Sequence, residues 1–77
     1  MIEVFKTNVN KASQAKMLVD QIHSIFENHE ANFDLEDCDK ILRVKCRSGF
    51  IQPSVFISLL NDFGFQAEVL PDNHVAA

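Results

Sequence analysis

ANFDLEDCDKILRVKCR, residues 31–47, decides the fold. On its left arm Ala31, Phe33 and Leu35 alternate with Asn32, Asp34 and Glu36, the two-residue period of a half-buried strand. On its right arm Leu42, Val44 and Cys46 alternate with Arg43, Lys45 and Arg47. Asp37-Cys38-Asp39-Lys40 between them is a polar turn, so the stretch predicts a β-hairpin with one apolar and one charged face.

Outward from the hairpin, each side predicts one helix and one strand. Upstream, Ala15, Leu18, Val19, Ile22, Ile25 and Phe26 recur at three- and four-residue steps, which predicts a helix from Lys11 to about Asn28 with Asn10 as its N-cap. Before it, Ile2, Val4, Phe5 and Val9 supply a first strand over residues 2–9. Downstream, Pro53 suits the first position of a second helix that runs to about Phe63, with Gly64 as its stop. Phe65, Ala67, Val69 and Leu70 form a last strand, closed by Pro71, and residues 72–77 read as a flexible C-terminal tail. The order βαββαβ, closed with right-handed crossovers, is an α+β, ferredoxin-like arrangement. It is a four-stranded antiparallel sheet with both helices on one face. The loop after the first strand, the hairpin turn and the Gly64 loop then share one end.

Size and composition bound the function. Seventy-seven residues hold one core and one domain, here residues 1–71. At 47% hydrophobic residues and only two Gly and two Pro, the chain is a folded globule. Seven Lys and Arg against eleven Asp and Glu, a formal charge of -4, argue against nucleic acid or an anionic membrane as a partner. No window reaches a membrane-spanning length and the N-terminus lacks the order of a signal peptide, so the reading is cytoplasmic. Cys38 and Cys46 sit at offset positions of one hairpin, a poor geometry for a disulfide.

Three runs carry a family resemblance: Phe5-Lys6-Thr7-Asn8-Val9-Asn10, then Asp34 to Val44, then Phe63-Gly64-Phe65-Gln66-Ala67-Glu68. In that order, over about residues 2–70, they resemble the heavy-metal-associated domain of copper chaperones and metal-transporting ATPases. The resemblance implies a Cys-x-x-Cys pair where the first strand meets the first helix, because two thiolates at a helix N-terminus ionise readily and suit Cu(I). Aligning Leu18 and Ile22 puts that pair at Lys11 and Gln14, and no cysteine precedes Cys38. Lys11 also adds positive charge where the helix dipole is already positive. The motif is degenerate, and neither cofactor nor metal is expected at it.

Other candidate sites have bland readings beside them. Cys38, the weak candidate for an unconventional Cu or Zn ligand, is flanked by Asp37 and Asp39, which disfavour its thiolate. Cys46, in phase with Leu42 and Val44, reads as core. His23, His29 and His74 are dispersed, lack a zinc spacing and read as surface residues. The acidic run from Asp34 to Asp39 lacks the pattern of a calcium loop and reads as a solvated face. Ser13 with Lys11 and Lys16 offers an anion site at a helix N-terminus, against simple capping. No nucleophile with a base, and no poised carboxylate pair, suggests an enzyme. The wide apolar arc of the second helix, Val55 and Ile57, with Phe50 and Ile51 before it, is the candidate interaction face for a protein partner or a homodimer. The leading expectation is a non-enzymatic interaction or regulatory module; the alternative is a heavy-metal carrier that uses Cys38.

Overall fold

A computed structural model describes residues 1–70, so the tail at residues 72–77 and His74 lie outside the described residues. Its elements are β1 (Ile2–Thr7), α1 (Ala12–Ile25), β2 (His29–Asp34), β3 (Ile41–Cys46), α2 (Pro53–Asp62) and β4 (Ala67–Val69). The strands form one sheet in the order β2-β3-β1-β4, with every neighbouring pair antiparallel. This is the βαββαβ ferredoxin-like arrangement.

The alternation of residues 31–47 becomes the two faces of the sheet. Phe5, Thr7, Ala31, Leu42, Val44 and Cys46 point toward the helices and are buried, while Lys6, Arg43, Lys45 and Asn32 stand on the open face. On that face Glu30 sits opposite Lys45 and Lys6 opposite Glu68, pairs of unlike charge that favour this register. From α1 the residues Ala15, Leu18 and Ile22 close the core, and from α2 Phe56 and Leu60 do so. Burying a large aliphatic or aromatic side chain stabilises by roughly 1.5–3 kcal/mol, so this cluster holds the sheet and helices together.

Several boundaries differ from the sequence reading, each for a tertiary reason. The N-cap of α1 is Lys11, not Asn10, and it makes no side-chain cap bond. The helix stops at Ile25 because Phe26 turns extended (φ -112, ψ 109) and lays its ring against Phe56, with centroids 4.7 Å apart. Asn28 then takes a left-handed φ of 63, which lets β2 begin at His29. Leu35 and Glu36 belong to the turn rather than to β2. Pro53 and Gly64 do act as start and stop. Phe65 donates to the Leu60 carbonyl at 2.9 Å and Gly64, at φ 90, to Asn61 at 3.0 Å, the paired bonds of a Schellman cap.

Candidate functional site

The two ends of the sheet offer different chemistry. At the first end, three loops are tied by hydrogen bonds that start from Thr7, a buried polar residue at the end of β1. Its hydroxyl donates to the Lys40 carbonyl at 2.6 Å and accepts from the Val9 N–H at 3.2 Å. Asn8 Oδ1 accepts from the Gln66 N–H at 2.8 Å. The β1–α1 loop, the hairpin turn and the segment after Gly64 are thereby brought together.

Lys11 and Gln14, the positions the family resemblance assigns to thiolates, occupy the N-cap and third position of α1 at this end. Lys11 is exposed. Gln14 turns its Oε1 into the protein, where the atom is buried without a hydrogen-bond partner. An exposed ammonium and a single buried, hard carbonyl oxygen do not fit a soft cation, which selects sulfur. The structure therefore gives this entrance no donor set for Cu(I).

Within the hairpin turn, the ligand atoms of Asp37, Cys38 and Asp39 lie within 4.8 Å of one another. Their arrangement has a local cause. Asp37 Oδ1 accepts the Asp39 N–H at 2.8 Å, an Asx turn, and the Asp37 carbonyl accepts the Lys40 N–H at 3.0 Å. Asp39 in turn lies 3.9 Å from Lys6 Nζ. The left-handed Lys40, at φ 48, is held by these bonds and by its own Nζ, which donates to the Leu35 carbonyl at 3.0 Å. The Asp37 carboxylate is thus committed to shaping the turn and that of Asp39 faces Lys6, while Cys38 projects from the turn, exposed and free.

At the opposite end, Met1 pairs with Cys46 through both of its main-chain groups. Cys46 is buried and free, as its phase in β3 implied. Its thiol is held below its ordinary value by hydrogen bonding from the Ser48 backbone, against the upward push of burial.

Phe50 follows Cys46 in the β3–α2 loop and is 76% exposed. With Phe26, His29, Gln52, Val55 and Phe56 it lines a depression of about 160 Å³. Ile51 corrects the sequence reading: it is 5% exposed and part of the core, so it contributes nothing to an interaction face. Its burial follows from its place just before α2, where the chain turns down onto the core cluster. Val55 and Ile57 are half-buried at the rim of that cluster.

The histidines also differ from simple surface residues. His29 is half-buried, with its ring 5.7 Å from both Phe26 and Phe56 and its Nδ1 2.7 Å from the Glu27 carbonyl. His23, though exposed, uses Nε2 to accept the Ala31 N–H at 3.1 Å. Both roles depend on where β2 runs relative to α1, a register that residue spacing does not reveal. Phe26 and His29 are thus members of the depression that the sequence reading did not include.

A scan against protein-family models matches none, and searches of curated proteins and of solved structures return no significant match.

Proposed function

We propose that this chain is a small non-enzymatic protein-interaction domain of the heavy-metal-associated type, in which the metal-holding entrance to α1 has been replaced by an amine and an amide. The βαββαβ order and the clustering of three loops at the α1 entrance support the type. Lys11 and Gln14 support the loss of metal. The observation that carries an interaction role is Phe50, 76% exposed beside Phe26 and Val55 in a chain whose other phenylalanines are buried or half-buried except Phe63, at 42%.

A non-enzymatic reading draws support from the two described histidines. His23 Nε2 and His29 Nδ1 are each engaged with a main-chain group, the structural use of histidine that a non-enzymatic reading expects.

The test places a photo-crosslinking amino acid at position 50 of the full chain, with position 20 on the polar side of α1 as control. Discrete adducts at position 50 that vanish in a Val55→Asp background support the reading. Adducts formed by the purified chain alone identify the partner as a second copy. Absence of adducts, with a monomer persisting at high protein concentration, refutes it.

One observation favours a second reading, a metal carrier, namely the mutual proximity of the Asp37, Cys38 and Asp39 ligand atoms. Its donor set is one thiol and two hard carboxylates, one bonded within the turn and one beside Lys6, a weak match to either Cu(I) or a tetrahedral zinc site. Anaerobic titration of the wild type and Cys38→Ser separates the readings, because stoichiometric uptake lost in the variant belongs to the carrier alone.

A further inference from the structure

The strand order leaves β2 on an edge, bonded to β3 on one side only. Which of its main-chain groups face outward follows from the ladder. Arg47 donates its N–H to the Asn28 carbonyl at 3.0 Å. In an antiparallel pair such bonding alternates, so Glu30, Asn32 and Asp34 turn their main-chain groups toward β3, and His29, Ala31 and Phe33 turn theirs away. The bond from the Ala31 N–H to His23 Nε2 agrees with that parity. Among the described residues, no side chain takes the N–H or C=O of Phe33, so this stretch of edge is open to another strand.

Alongside the open edge runs a groove of about 480 Å³, lined by Ala12, Ala15 and Val19 of α1 and by Ala31, Phe33 and Leu35. The three alanines leave the room. Charge is one-sided here: residues 27–37 hold five carboxylates and neither Lys nor Arg. Glu30 is matched by Arg47 at 3.4 Å, but Asp34 and Glu36 make no ion pair among the described residues. Lys16, the cation that lines the groove, is spent on Asp20 at 3.2 Å.

We propose that this edge and groove bind an extended segment of a partner protein in which Lys or Arg alternates with Val, Leu or Ile, added to β2 as a further strand. Directly opposed residues of paired strands share a face. Apolar side chains opposite Ala31 and Phe33 therefore enter the groove, and the basic ones between them meet Asn32 and Asp34, with Glu36 just beyond. Affinity comes from the main-chain groups of Phe33 and the Ala31 carbonyl, and selectivity from the alternating side chains, the logic of strand addition. A second copy fits poorly, because two β2 edges paired about Asn32 set Glu30 against Asp34 twice, and like charges directly opposed destabilise. The proposal rests on the interaction-domain reading but uses a surface separate from the Phe50 depression.

The test titrates the full, isotope-labelled chain with a short capped peptide alternating Lys with Val or Leu, and follows backbone amide shifts. Saturable shifts at Ala31, Phe33 and Leu35 are expected. In Asp34→Lys/Glu36→Lys the affinity falls at least tenfold, about 1.4 kcal/mol, as two attractions become repulsions. A peptide N-methylated at the positions facing β2 is expected to lose binding.

Equal binding by the methylated peptide, with shifts spread over the acidic surface, overturns the proposal in favour of non-specific charge attraction. Shifts of the same amides with protein concentration alone overturn it in favour of self-pairing. No saturation at millimolar peptide leaves the acids as edge protection and also overturns it. None of these outcomes touches crosslinking at position 50, so the broader reading is judged separately.

Discussion

Replacing Gln14 by Met is expected to stabilise the domain. Gln14 Oε1 is buried without a partner in the first turn of α1, and leaving such a group unpaired costs about 1–3 kcal/mol. Met has nearly the same helix propensity and length as Gln, so the exchange removes that cost without disturbing the helix. Because Gln14 as a whole is only partly buried, the lower figure applies, about 1 kcal/mol. For a domain of this size that raises Tm by roughly 4–8 °C, and moves the urea midpoint by about 1 M if m is near 1 kcal/mol/M. Urea denaturation followed by far-UV circular dichroism reads both midpoint and slope. An unchanged or lowered midpoint with m constant would refute the reasoning, because Gln14 would then be held by an interaction that the structure does not contain.

Other expectations follow from single contacts. Phe56→Ala removes the ring that packs against Phe5 at 6.1 Å and Phe26 at 4.7 Å. The cost of about 3–5 kcal/mol rivals a total stability of about 4–12 kcal/mol for a chain this size, so calorimetry should find the variant largely unfolded or lacking a cooperative transition. His23→Ala frees the Ala31 N–H at a net cost of about 0.5–1.5 kcal/mol. Hydrogen exchange at Ala31 should then accelerate while Asn32, bonded toward β3, stays protected; equal rates would remove His23 from the edge. In native buffer a thiol reagent should label the exposed Cys38 at once and the buried Cys46 only through unfolding, despite its lowered thiol pKa, and matched rates would contradict the burial.

The fold was legible because its determinants are local. Alternation over residues 31–47, the 3.6-residue period from Ala15 to Ile22, and Pro53 and Gly64 as punctuation each act within a few residues. What escaped the sequence was set by contacts distant in the chain. Phe26 leaves α1 to meet Phe56, thirty positions on, and Ile51 is buried in a core cluster that includes residues of β1 and α1. That Lys11 and Gln14 stand at the entrance to α1 could be read directly, since it is a matter of residue identity once the helix is placed. The groove beside β2 could not, because only strand order shows which strand has a free edge and which main-chain groups face outward.

Central to the account is the claim that the entrance to α1 has the position of a metal site without its sulfurs. Anaerobic Cu(I) titration against a competing chelator, run in parallel on the wild type and on Lys11→Cys/Gln14→Cys, measures it. The wild type should retain no copper and the double variant should gain one equivalent. One equivalent held by the wild type through residues 11–14, or none gained by the variant while it remains folded, would contradict the claim.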